Sequence, residues 1–507
     1  MPDDVTVGGV AASSPDGRHY DASFVTSVFW TGVAKGSSQL ISWLATFLVA
    51  RLLTPEDYGL VGMATVFLGV VTIVSEFGLG ITIVTLRDLS ERQIAQLNTV
   101  AVALGIACFL VCCIAAVPLG LFFHSEALPR IVVVLGTTFP LSAFRIVPSA
   151  LLQKDLRFRR LGVLETVNVL VLSVTMVLLA RAGFRYWTLV VGAIVSAVVT
   201  TALTVASRPQ SFGWPKRADI APALSFTRYQ LGGTLLWYWY QNADQVVAGR
   251  LLGVGDLGVY AMAASTASSI SDKVMMLLTR TTPAYFAALQ DQPAALKRYL
   301  LRLTEILSVV LFPVLIGFAL VADGFVRLAL GPKWLGAIGP LRLLAISAAI
   351  NSTTPLLARV LTVRGQNRYL LQIAVVLSVL MPISFVVGSH WGPTGIAAVW
   401  VTVFPLTRIP VLTRAVPAIG VSRMDYLRAF WPATNGILAM AVAVLAVSAL
   451  LPAGMPLVAS LAVQVALGAC VYFAVIFGFH RARIEVLLQL ARQWRSGGAA
   501  ANAEARS

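Results

Sequence analysis

Apolar residues in this chain come in long, nearly unbroken runs, without the alternation of a half-buried strand or the narrow stripe of a soluble amphipathic helix. Run after run reaches the roughly 20 residues that a helix needs to cross about 30 Å of hydrocarbon. Spans are expected near 27–50, 58–86, 97–122, 130–152, 162–181, 186–206, 226–250, 257–280, 302–322, 338–362, 370–388, 394–413, 429–451 and 456–479. Only helices or closed barrels satisfy every backbone polar group in lipid, and spans of this length are helical. The expected fold class is an all-α polytopic membrane protein.

The few polar positions inside these runs are ordered. Lys35, Ser38, Gln39, Ser42, Trp43 and Thr46 fall on one face of the first span. Residues 50–64 read ARLLTPEDYGLVGMA and residues 249–263 read GRLLGVGDLGVYAMA. At an offset of 199, Arg51, Leu52, Leu53, Asp57, Gly59, Met63 and Ala64 recur as Arg250, Leu251, Leu252, Asp256, Gly258, Met262 and Ala263. The same offset carries the stripe of span one onto Thr234, Trp237, Tyr238, Gln241, Asn242 and Gln245 in span seven. Spans one to six and seven to twelve are therefore read as parallel repeats, two pseudo-symmetric six-helix bundles with two added helices.

The expected organisation is a cytoplasmic N-tail over 1–26, a first bundle over 27–207, a cytoplasmic linker over 208–225 and a second bundle over 226–415. Helices thirteen and fourteen follow over 416–480, then an amphipathic helix and a disordered tail over 481–507. Facing each other, the two polar stripes would make a hydrophilic cavity between the halves.

Composition narrows the class. With 58% hydrophobic and 12% charged residues, the chain has far fewer charges than the roughly 25% of soluble domains. The net charge of +16 does not indicate nucleic-acid binding, because Lys and Arg concentrate on one side of the expected topology. Twenty-five of the 38 fall on the side of the termini and seven on the other. By the positive-inside rule both termini are expected in the cytoplasm. Cys108, Cys112, Cys113 and Cys470 lie in apolar spans without histidine or carboxylate company and are read as small core residues, with no metal site expected.

Several segments resemble a known family. LLTPEDYG, QKDLRFRRLG (153–162), NADQVVAGRLLG (242–253), TPAYFAALQDQ (282–292) and GPKWLGAIGPLRLLAI (331–346) are similar to segments of Wzx-type oligosaccharide flippases. These belong to the polysaccharide-transporter branch of the multidrug/oligosaccharidyl-lipid/polysaccharide exporter superfamily, and the likeness is greatest to members serving exopolysaccharides such as colanic acid or xanthan. The resemblance implies a multi-pass protein of the bacterial inner membrane that is not an enzyme. It would carry an undecaprenyl-diphosphate-linked oligosaccharide repeat unit from the cytoplasmic to the periplasmic leaflet by alternating access, for exopolysaccharide or O-antigen synthesis. Its partners would be that substrate, membrane lipids, and a polysaccharide polymerase and co-polymerase. No cofactor is implied beyond coupling to a proton or sodium gradient.

The residues make physical sense of such a cargo. A diphosphate needs cationic counter-charge to cross hydrocarbon. Lys35 in span one, Arg145 on a polar stripe of span four with Thr138, Ser142 and Ser149, and Lys273 in span eight are candidates. Gln39, Trp43, Tyr238, Gln241 and Asn242 are further candidates for contact with the substrate. Arg342 and Arg359 sit near the ends of span ten, where Arg359 reads as snorkelling to the interface. Glu76, Asp244 and Asp272 are carboxylates inside spans and candidates for ion coupling. Two alternatives stand beside this reading: a multidrug or organic-cation antiporter of the same superfamily, and a membrane polymerase or glycosyltransferase. The first suits an acidic or apolar cavity, and the second needs a large extracytoplasmic loop or domain. The longest expected outer loop, near 323–337, offers only Asp323.

Overall fold

The computed structural model describes residues 39–76, 79–85, 89–279, 286, 289, 292–452 and 454–481. Lys35, the N-terminal tail, and the amphipathic segment after residue 481 lie outside them. Among the described residues every regular element is helical. The helices are α1 (Gln39–Leu52), α2 (Pro55–Glu76), α3 (Glu91–Phe123), α4 (Leu128–Lys154), α5 (Phe158–Arg181) and α6 (Trp187–Ser207). A second set follows: α7 (Arg217–Val247), α8 (Val254–Thr279), α9 (Pro293–Leu320), α10 (Pro332–Val363), α11 (Asn367–Ser389) and α12 (Gly392–Ile419). The last two are α13 (Trp431–Leu450) and α14 (Leu457–Phe479). Among the described residues, 11 of these helices are long and apolar enough to cross a membrane. The other three, α1, α7 and α8, are where the polar stripes and the repeat lie.

Their outer faces confirm the solvent. On α3, Leu110, Ile114, Val117 and Leu121 follow i, i+4, i+7, i+11 and are 54–76% exposed. Stripes of that size are covered by lipid in a membrane protein. Cys108 and Cys112 are buried as expected, whereas Cys470 is exposed on α14, so it is a lipid-side residue rather than a core one.

Some boundaries differ from expectation for identifiable reasons. The span expected over 58–86 is two helices: α2 ends at Glu76 and a separate short helix runs Leu79–Thr85. α3 begins at Glu91, six residues ahead of the expected 97, because Ser90 and Gln93 form a capping box: the Ser90 hydroxyl accepts from the Gln93 N–H, and the Gln93 side chain accepts from the Ser90 N–H. The linker is shorter than 208–225, since α7 already starts at Arg217. Its chain is strapped to the start of α3: Gly213 N–H donates to the Ala95 carbonyl at 3.1 Å and Asn98 donates to the Ser211 carbonyl at 3.2 Å. The expected loop over 323–337 is a chain of short turns, Ala322–Phe325, Val326–Leu330 and Pro332–Ala337.

Packing repeats with the sequence. In the first half α3 packs on α4, α4 on α6, and α5 on α6; in the second, α9 packs on α10, α10 on α12, and α11 on α12. α1 meets α5 through Val49, Leu53 and Ala180, as α7 meets α11. α13 attaches to the second half through α9, and α14 does so through Tyr472, whose hydroxyl donates to the Val309 carbonyl at 2.7 Å.

The halves join where the repeat predicts. α2 crosses α8, and the crossing is reciprocal. A Cβ on Gly59 would overlap the carbonyl oxygen of Val254, and a Cβ on Gly258 would overlap that of Pro55. These pairs exchange under the offset of 199, which is the signature of a two-fold axis passing between the helices. Glycine is required at both positions because only hydrogen fits there.

Candidate functional site

α2 and α8 are the innermost helices, α2 being flanked by α3, α4, α7 and α8. They touch at the end that carries residues 51–57 and 250–256, called here the first-loop end. Further along, the same two helices present polar, solvent-accessible positions: Thr65, Thr72 and Glu76 on α2, Ser265 and Ser268 on α8. A central helix can expose such residues only into a space between the halves. The hydroxyls bond to their own helices, Thr72 to the Leu68 carbonyl and Ser268 to the Ser265 carbonyl, so they leave a polar surface without strong fixed partners. α2 and α8 thus meet at the first-loop end and carry exposed polar faces away from it.

α7 bridges the halves at mid-depth. The Tyr238 hydroxyl donates to the Val66 carbonyl on α2 at 2.9 Å, in a notch that Gly69 leaves open. The rest of the WYWY run splits by helical geometry. Trp239 donates to the Ser378 carbonyl on α11, Tyr240 is buried, and Trp237 is exposed. Gln39 and Trp43 on α1 and Gln241 and Asn242 on α7 are half-buried. Asn242 satisfies its amide on the Tyr238 carbonyl.

Arg145 is half-buried on α4, in line with half-buried Ser142 and Ser149. Among the described residues it has neither an ion pair nor a hydrogen bond. Arg342 and Arg359 are exposed, as is Glu76. The side chains of Asp272 and Lys273, like the whole of Lys35, lie outside the described residues.

Asp244 is the carboxylate that the fold encloses. It is 5% exposed. Its Oδ2 accepts from the Tyr260 hydroxyl on α8 at 2.6 Å and from Trp400 Nε1 on α12 at 2.9 Å, and its Oδ1 accepts from the Gln245 N–H at 2.7 Å. Three donors from three helices hold one carboxylate. Among the described residues no cation pairs with it.

Sequence reasoning passed over the companions of Asp244 and over Arg408. Trp400, Phe404 and Arg408 recur at i, i+4, i+8 on α12. Phe404 and Trp400 meet edge to face with centroids 4.7 Å apart, and the Arg408 guanidinium lies 4.1 Å over the Phe404 ring. The Arg408 side chain also lies beside Tyr240 on α7. The helical spacing was a usable signal, but nothing local announced that α7 lies opposite. Asp57, the acidic residue of the TPED segment, is structural: Thr54 N–H and hydroxyl donate to its Oδ2, and the Tyr186 N–H donates to its Oδ1 at 3.1 Å.

Residues 48–339 match the family described as polysaccharide biosynthesis protein. The chain belongs to that family. It is 24% identical over 420 residues to the lipopolysaccharide biosynthesis protein WzxC of Escherichia coli, covering 80% of this chain and 84% of that one. It is 24% identical over 493 residues to the succinoglycan biosynthesis transport protein ExoT of Rhizobium meliloti, covering 94% and 97%. The fold is that of the lipid II flippase MurJ in an inward closed conformation, with a TM-score of 0.71 at 10% identity over 90% of this chain and all of the other. The expectation of a polytopic exporter-type fold built from two six-helix halves therefore stands.

The cavity reading has a direct check. Single cysteines at Thr65, Gln241 and Ser265 are expected to react with small hydrophilic thiol reagents in the folded membrane protein at least about tenfold faster than cysteines at Val71 or Ala263, which are 5% and 1% exposed. Equal reactivity at all five positions would make the polar faces helix-packing surfaces.

Proposed function

We propose that the protein moves an undecaprenyl-diphosphate-linked oligosaccharide repeat unit across the inner membrane, from the cytoplasmic to the periplasmic leaflet, by alternating access. It acts as a transporter rather than an enzyme. The observation that carries this reading is Arg145, a half-buried cation on a polar face of a membrane helix with no protein counter-charge among the described residues. An unpaired guanidinium in such a place is costly to keep. It suits a cargo that arrives with its own negative charge, and its planar fork matches phosphate oxygens. Membership of the polysaccharide biosynthesis family and the transport role named for ExoT support the same cargo class. An organic cation would be repelled by that arginine.

In this reading the first-loop end is periplasmic and both termini are cytoplasmic, as the bias of Lys and Arg requires. The exposed polar faces of α2 and α8 then lie toward the cytoplasm, where the lipid-linked unit is assembled. Coupling to a proton or sodium gradient is assigned to Asp244, the enclosed carboxylate, with the polymerase and co-polymerase as downstream partners. Loss of the protein is expected to stop polymer export and to leave lipid-linked repeat units on the cytoplasmic leaflet. There they would be protected from a glycan-cleaving enzyme added outside spheroplasts. Units that are digested from outside in the null strain would overturn the assignment.

A further inference from the structure

The segment that revealed the repeat also ties the two halves together. Arg51, at the end of α1, donates through Nε to the Ala329 carbonyl at 3.1 Å and through a terminal nitrogen to the Leu328 carbonyl, both in the turn ahead of α10. Arg250, its counterpart at the end of α7, meets His124 at the end of α3 and stands 5.5 Å over the Phe122 ring. The residue before each arginine repeats the exchange. The Ala50 carbonyl accepts from Trp334 Nε1 at 2.8 Å, and a Cβ on Gly249 would come within 2.9 Å of the Phe123 ring. With Gly59 and Gly258 seated on opposing backbones, every one of these contacts joins one half to the other at the first-loop end.

The chain is shaped for this at both sites. A π-helical turn, Ala248–Leu252 or Val326–Leu330, ends on a glycine with positive φ, Gly253 at 89° and Gly331 at 94°. That conformation favours glycine and turns the backbone sharply just after the residues that reach across.

The two latches differ in their surroundings. Trp334 is fully buried, with its N–H bonded and the Tyr58 ring edge-on at 5.3 Å. Arg250, His124 and Phe122 are exposed, so water competes for every bond they make. A buried aromatic anchor contributes far more than an exposed polar pair.

We propose that the repeated Arg-Leu-Leu…Asp-x-Gly segments form the gate of the first-loop end. The dry Trp334 latch sets how often the gate is closed, and the exposed Arg250–His124 latch only adjusts it. The proposal rests on the reading that the halves move against each other, and is independent of the cargo.

The test uses the full-length protein with its four cysteines replaced and a single cysteine at Thr65, just inside the gate. A membrane-impermeant thiol reagent is added outside intact cells. Trp334→Ala is expected to raise the rate of external labelling at least about tenfold, and Arg250→Gln by less than about threefold. Arg51→Gln leaves the indole in place and is expected to fall between them, so it reads the latch even where Trp334→Ala fails to insert. Unchanged labelling in both Trp334→Ala and Arg51→Gln at normal membrane abundance would overturn the gate. A larger effect from Arg250→Gln than from Trp334→Ala would overturn the inequality of the latches. A cysteine at Thr54 marks sidedness and is expected to react from outside in every variant. Reaction of Thr54→Cys from the cytoplasmic face alone would reverse the orientation and with it the side that the gate closes. Labelling needs no substrate, so a wrong cargo assignment leaves these outcomes intact.

Discussion

Arg145→Ala is expected to abolish polymer export while the protein still reaches the membrane at normal abundance. The guanidinium sits on the Ser142–Arg145–Ser149 face of α4, half-buried and without a counter-charge among the described residues. Removing it therefore breaks no ion pair within the described structure, and the helix should insert slightly more easily without it. What is lost is contact with the cargo. Charge-assisted hydrogen bonds to a diphosphate contribute roughly 1.5–3 kcal/mol each, which corresponds to about ten- to a hundredfold in affinity per bond. Arg145→Lys separates two versions of the contact: partial export means that charge dominates, and little export means that the planar fork is needed. Arg359→Ala, at an exposed position, is expected to be nearly silent. Polysaccharide output normalised to membrane protein level is the measurement. Normal export from Arg145→Ala would remove the electrostatic mechanism and restore the antiporter alternative.

Neutralising Asp244 is expected to uncouple transport without unfolding the protein. A carboxylate enclosed in a membrane bundle is tolerated when donors surround it, and here Tyr260, Trp400 and the Gln245 N–H do so. Those donors bring together α7, α8 and α12, so the occupancy of one carboxylate by a proton or sodium ion is felt by three helices of the second half. In Asp244→Asn the amide retains one acceptor oxygen and turns N–H groups toward existing donors. Each donor left unpaired costs about 1–3 kcal/mol, and a lower melting temperature in detergent should follow. The functional signature is separate from that loss. In proteoliposomes, gradient-driven movement of the lipid-linked unit is expected to fall at least about tenfold, while exchange without a gradient persists. Tyr260→Phe and Trp400→Phe serve as controls: each removes a donor and lowers stability, yet both keep the ionisable group and should keep the gradient dependence. Full gradient-driven transport in Asp244→Asn would reduce the cluster to a structural clamp.

The sequence by itself determined the class of the protein, the places of its helices and the doubling of its halves. Span length is set by bilayer thickness, so apolar runs such as those of α3 and α14 carry their fold in one dimension. The repeat was equally legible, because the close crossing of α2 and α8 admits only glycine at 59 and 258, and that demand is written directly into the chain. Local capping was legible too, in Ser90 and Gln93, though it is easily overlooked beside so long an apolar run.

Tertiary structure decided what the polar residues do. Tyr238 and Trp239 are neighbours in sequence, yet one reaches α2 and the other α11, because successive residues on a helix point about 100° apart and the partner helices lie on different sides. Asp57 and Asp244 are both enclosed acids. One caps the start of α2 and holds the Tyr186 backbone, and the other is ringed by side chains from α8 and α12. Thr54, three residues ahead, signals the capping role of Asp57, but nothing within a few residues of Asp244 announces the partners that enclose it. Trp334, in what reads as an ordinary loop, became a buried anchor because residues 284 positions apart meet there, at the Ala50 carbonyl. Contacts of that separation depend on how the two halves dock, which is set by the whole surface of both. The periodicity of a single chain segment records the face it buries but not the partner it buries it against.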